Sequence, residues 1–88
     1  MKIKNGFVLE KVADSYLACA TGKLATQFSG FVRLNETGAF LWNILLEGAD
    51  IDQLADSMMK QYEIGEDVAR RDASAFVESL RKNGILDE

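Results

Sequence analysis

Gly30-Phe31-Val32-Arg33-Leu34-Asn35-Glu36-Thr37-Gly38-Ala39-Phe40-Leu41-Trp42 takes the chain from strand to helix within a few residues. Phe31 to Leu34 reads as a short strand opened by Gly30, with Phe31 and Arg33 on one face and Val32 and Leu34 on the other. Asn35 suits the N-cap of a helix, and Glu36 in the first turn favours the positive end of its dipole. From Ala39 to Leu46 every residue but Asn43 is apolar, which leaves no solvated face and predicts a central, buried helix. Gly48 is its natural stop.

Toward the N-terminus, strand character continues. Phe7 to Val12 and Tyr16 to Thr21 are short runs of apolar and β-forming residues, separated by Ala13-Asp14-Ser15, a connection of hairpin length. Gly22 ends the second run, and Leu24, Thr26 and Phe28 alternate through a stretch that either extends the sheet or crosses over it. Alternation places Cys19 with Leu17 on the inward face, which predicts a buried, inert thiol.

Toward the C-terminus, two more helices follow. Asp50 with Gln53 three residues later forms a capping-box pattern, and Ile51, Leu54, Ala55, Met58, Met59 and Tyr62 recur at helical steps. A third helix spans about Glu66 to Lys82, and Gly84 closes it before Ile85-Leu86 fold back. At about 100° per residue, Ala69, Ala73, Phe76 and Leu80 share its packed face, with Val77 at the edge. One flank holds the short residues Val68, Asp72, Ala75 and Ser79; the other holds Glu66, Arg70 and Arg81. A flank of short residues lets another backbone approach closely, and hints at a groove. Strand, strand, strand, helix, helix, helix reads as α+β, with helices stacked on one side of a small antiparallel sheet.

Composition bounds the function. Eighty-eight residues, 48% hydrophobic and 27% charged with no Pro, make one globular domain over 1–88. Ten basic residues against fourteen acidic ones give a net charge of −4, the wrong sign for a domain that binds nucleic acid through phosphates. One Cys and no His speak against a disulfide framework, a structural zinc site and the usual Ser/Cys–His catalytic pair. No glycine-rich phosphate loop is present, and Asp50-x-Asp52 lacks the glycine and distal glutamate of a calcium loop. No cofactor or metal is expected, and an enzyme working alone is not. The first residues lack the apolar core of a signal peptide and no run is long enough to span a bilayer, so a soluble, cytoplasmic protein is expected.

What remains is binding. A three-stranded sheet has two edges, and an edge strand offers unpaired N–H and C=O groups to an extended guest. Gly30 to Leu34 is short and carries Arg33, which blunts promiscuous pairing while leaving a site for a chosen partner. The same open edge would also admit a second copy of the chain. Asp72 lies between the packed face and the short flank, where it either serves a ligand, pairs with a nearby Lys or Arg, or faces water. Trp42, Met58 and Met59 read as core.

The strand-to-helix stretch from Gly30 to Trp42 resembles the signature of the PqqD family. Arg71-Asp72-Ala73-x-x-Phe76-Val77-x-x-Leu80-x-x-x-Gly84-Ile85-Leu86 is similar to that family's last helix and tail. The resemblance implies a winged helix-turn-helix-like domain, also called a RiPP recognition element. Such domains capture the leader part of a ribosomally made precursor peptide by strand addition to the third strand, against the third helix. They then present it to a modifying enzyme, often of the radical SAM class. Carried onto this chain, the peptide-binding residues are Phe31, Val32, Arg33 and Leu34 on the strand and Val68, Asp72, Ala75 and Phe76 on the helix. Gly65 stands where the family often has an acidic cap, and Ala73, smaller than the usual branched residue, is expected to alter pocket depth. The shared architecture also admits a DNA-binding winged-helix regulator, against which the opening Glu66-Asp67 of the third helix argues. A helical module for some other protein partner is a third reading.

Overall fold

The computed structural model describes residues 1–26 and 30–88. In chain order the elements are β1 (Lys2–Ile3), β2 (Phe7–Val12), β3 (Ser15–Ala20), a short 3-10 turn (Gly22–Thr26) and β4 (Phe31–Leu34). Then come α1 (Glu36–Glu47), α2 (Ile51–Tyr62), α3 (Glu66–Lys82) and β5 (Leu86–Asp87). The three predicted strands form one antiparallel sheet in the order β2-β3-β4, followed by three helices, as the α+β reading requires. Leu24 and Thr26 lie in the 3-10 turn, so the chain crosses over there rather than extending the sheet; Phe28 lies outside the described residues.

The hairpin is one residue tighter than expected. Val12 pairs with Ser15, leaving Ala13 and Asp14 as a two-residue turn in which Ala13 takes a φ of 55°. Beyond β3, Thr21 donates to Gly6 O through its N–H at 2.6 Å and its hydroxyl at 2.8 Å, so the pairing runs on past the strand.

Register decides the sheet's faces. Leu9 and Val32 both pair with Ala18, which is fully buried, while Leu17 and Cys19 are only half-buried. The inward parity is therefore Tyr16, Ala18 and Ala20, and Cys19 belongs to the outer face, contrary to expectation. Size overrode hydropathy here: α1 lies against this sheet with Trp42 and Leu45 fully buried, and the central strand meets that crowded layer with its small residue.

The core gathers on Trp42. Phe7 from β2 meets the indole edge-on at a centroid distance of 5.9 Å, an arrangement worth about 0.5–1.5 kcal/mol beyond area burial. Leu41, Leu45, Leu54, Met58 and Leu80 complete it, all essentially without exposure. The expectation that α1 has no solvated face does not hold: Leu46 is 42% exposed, Asn43 is exposed, and Phe40 and Ile44 are only half-buried. Both predicted caps form. Asn35 Oδ1 accepts from Gly38 N at 2.8 Å, and Asp50 and Gln53 make a reciprocal capping box at 2.8 and 2.9 Å.

A second, two-stranded sheet was not expected. β1 pairs antiparallel with β5, Ile3 opposite Leu86, joining the chain ends beside α1. Among the described residues no helix is long and apolar enough to cross a membrane.

Candidate functional site

β4 is an edge strand. Its one strand partner among the described residues is β3, so the opposite rim presents unpaired backbone groups. Leu34 is buried and Val32 half-buried on the core side, while Phe31, 55% exposed, and Arg33 point to the outer face. The chain turns directly from β4 through Asn35 into α1, so the first turn of α1 forms the floor beyond the strand.

Gly38 sets how close that floor lies to α3. A Cβ there would stand 3.3 Å from Leu34 Cβ, 3.3 Å from Phe76 Cε1 and 3.2 Å from Asn35 Oδ1, all tighter than ordinary contact. The absent side chain lets the Phe76 ring settle against the strand-to-helix junction.

Two adjoining cavities open around that ring. The one beside the strand, about 420 Å³, is lined by Val32, Arg33, Leu34, Asn35, Gly38, Phe76 and Ser79. The other, about 330 Å³, is lined by Asn35, Thr37, Gly38, Leu41, Asp72, Ala75 and Phe76. They share Asn35, Gly38 and Phe76, so they form one groove with the phenyl ring at its waist. On α3 the wall is Asp72, Ala75, Phe76 and Ser79, an i, i+3, i+4, i+7 stripe of mostly small side chains.

Of the residues predicted from sequence, Val32, Arg33, Leu34, Asp72, Ala75 and Phe76 line this groove. Phe31 and Val68 line neither cavity: Phe31 faces outward, and Val68 sits half-buried one turn before Asp72. Asn35, Thr37, Gly38, Leu41 and Ser79 line it without having been singled out as site residues. Asn35 and Leu41 read locally as cap and core, and Thr37 and Gly38 only as part of the family signature, because nothing local says that the start of α1 faces α3.

The wheel of α3 needs rotating slightly. Its buried meridian is Ala69, Ala73, Val77 and Leu80, with Phe76 half-buried at the margin. α3 packs chiefly on α2 rather than on the sheet, which turns Val77 inward and leaves Phe76 over the groove. Ala73 is fully buried and lines neither cavity, so its small size does not set pocket depth.

The groove's charges are lightly committed. Among the described residues Asp72 has a single long contact, from Arg71 Nε at 3.4 Å, and it lines the cavity half-exposed. None of the ion pairs among the described residues involves Arg33. By contrast Arg70 is tied to Asp52, and Arg81 to Glu78 and Glu88. No cluster of three potential metal-ligating side chains occurs among the described residues.

Comparison with known proteins places this geometry. The backbone is similar to TbiB1 in complex with the TbiA(beta) leader peptide, with a TM-score of 0.78, 23% identity, and coverage of 99% of this chain and 95% of that one. It is also similar to lasso peptide synthetase B1 complexed with the leader peptide, with a TM-score of 0.73, 24% identity, and coverage of 96% and 93%. At those identities the likeness establishes a shared fold. No curated protein matches the sequence. The family model described as Coenzyme PQQ synthesis protein D (PqqD) matches residues 20–86, from the end of β3 through α3 and into β5, and the chain belongs to the PqqD family.

Proposed function

We propose that this protein is a peptide-binding adaptor without catalysis of its own. The leader region of a ribosomally made precursor peptide adds as a strand to the free rim of β4 and lies in the groove against α3. The captured peptide is then presented to a separate modifying enzyme, of the radical SAM class that the family often serves. The observation that carries this reading is the juxtaposition of an unpaired strand rim with a wall of small side chains around Phe76. Backbone hydrogen bonds would supply affinity, and the two lobes of the groove would each take a guest side chain. Val32, Leu34 and Phe76 favour an apolar residue in the lobe beside the strand. Asp72, Asn35 and Thr37 favour a hydrogen-bond donor in the other.

The fold of the two leader-bound structures supports the same reading, as does membership of the family. A DNA-binding role is disfavoured by α3 itself, whose exposed Glu66 and Asp67 open the helix while Arg70 and Arg81 are held by carboxylates. The test is an amide-shift titration with synthetic leader segments of ribosomally made precursor peptides. Shifts should concentrate at residues 30–38 and 72–79. Shifts confined to α2 or to the β2–β3 turn would refute the site.

A further inference from the structure

The outer face of the three-stranded sheet, opposite the helices, is apolar and open. Val8 is 42% exposed, Val12 50% and Phe31 55%. Cross-strand register arranges this face in rows: Val8, Cys19 and Phe31 lie side by side, and next to them Glu10, Leu17 and Arg33. The second row has an acid on β2, an apolar residue on β3 and a base on β4, so its charge reverses from one margin of the face to the other.

We propose that this face is a weak, two-fold self-association surface, on which a second copy of the chain packs sheet against sheet. A half-turn about an axis running along β3 lays one copy's β2 over the other's β4. Glu10 then meets the partner's Arg33 on both sides of the axis, and Val8 meets the partner's Phe31, small against large. Leu17 and Cys19, on the axis strand, each meet their own copy. The alternative half-turn, about an axis across the strands, stacks β2 on β2 and β4 on β4 and opposes like charges. An isologous contact must be complementary to itself, and this face meets that condition in both charge and size. A heterologous partner would impose no such antisymmetry.

The area sets the strength. Two strands of six residues and one of four, at about 3.3 Å per residue and about 4.8 Å apart, give a footprint of roughly 250 Å² per copy. A standard stable complex buries about 800 Å² per partner, so the dimer is a transient one. Face-to-face packing leaves the backbone rim of β4 unused, but Arg33, which lines the cavity beside that strand, takes part in both contacts, so the test uses the protein without peptide and reads association alone.

Sedimentation equilibrium of the full chain, from about 10 μM to about 1 mM, should show the average mass climb from the monomer's 9.7 kDa toward twice that value. Glu10→Arg and Arg33→Glu, each at an exposed position, should weaken association at least about tenfold, and the double exchange should restore it. A short-spacer bismaleimide should join Cys19 to the partner's Cys19, since sheet backbones packed about 10 Å apart bring two facing thiols within its reach. This crosslink needs no variant, so it also covers a charge reversal that fails to fold. A constant monomer mass up to the highest concentration would overturn the proposal. So would association indifferent to both reversals, or a chain that stays monomeric while the reversals weaken its binding to the modifying enzyme.

Discussion

The two sheet margins of this molecule are finished in opposite ways. Where β1 meets β5 the two strands pair with each other, and beside them Lys4 N donates to Ile85 O and Ala49 N to Met1 O, both at 2.9 Å. Ile3, Ile85 and Leu86 are buried beneath, and Arg81 ties α3 to Glu88 at 2.6 Å just past β5. At β4, among the described residues, the outer rim has no strand partner, the neighbouring wall is small, Asp72 has only a long contact from Arg71 and Arg33 has no ion pair. The first margin converts its hydrogen bonds and apolar contacts into stability of the domain. The second withholds them, which costs the free protein stability and leaves the edge open to an added strand.

Three substitutions or conditions separate the two margins, from the largest effect to the smallest. Ile85→Ala should remove about 2–5 kcal/mol of unfolding free energy, since the side chain is fully buried in a well-packed core. Urea denaturation would measure it. Below the unfolding transition, leader affinity should be unchanged, and a parallel loss of affinity would mean that the clasp and the groove are coupled.

Ser79→Trp should do the reverse. Ser79 is exposed and lines the cavity beside β4, so an indole there fills the groove without entering the core. Leader affinity should fall about 50- to 100-fold, or roughly 2–3 kcal/mol, while the melting temperature moves little. Unchanged affinity by calorimetric titration would place the peptide elsewhere.

The smallest effect is electrostatic and belongs to the clasp. Hydrogen bonding from Arg81 holds the Glu88 carboxyl below the usual carboxylate range. A group with a lowered folded-state pKa binds protons more readily when unfolded. Its contribution is therefore complete above the unfolded value of about 4.3, and is lost as pH falls through the folded one. The pair is solvent-exposed, so the effect is slight. Wild type and Glu88→Gln should differ slightly in melting temperature at neutral pH and converge in acid. A difference that grows on acidification would reverse the sign and refute the pairing.

Much of the fold is legible in local chemistry. The Asn35 and Asp50 caps, the helical steps of α2 and the strand-to-helix turn after Leu34 all follow from nearest neighbours in sequence. So does the short-residue flank of α3, because a helix wheel needs only one helix. The residues that the structure places differently share another cause. Alternation has two phases, and hydropathy alone favours the one that turns Cys19 inward; the pairing of Ala18 with Leu9 and Val32 selects the other. Apolar area alone puts Phe76 on the packed face of α3 and Val77 at its edge, because nothing local says that α2 is the main neighbour. β1 and β5 are two residues each, too short for any periodic signal, and exist only because the chain ends meet.

The groove follows the same division. From sequence alone came its ingredients: a short strand bearing Arg33, a helix with slim Ala75 and Ser79 on one side, and a glycine at position 38. Only the tertiary structure decided that the strand lies at an edge, that Gly38 brings α1 under Phe76, and that Asp72 opens onto the same cavity as Thr37. Caps and periods are set by interactions a few residues apart along the chain. A vacant rim and the wall facing it are set by which distant segments pack together, and packing is a property of the whole chain.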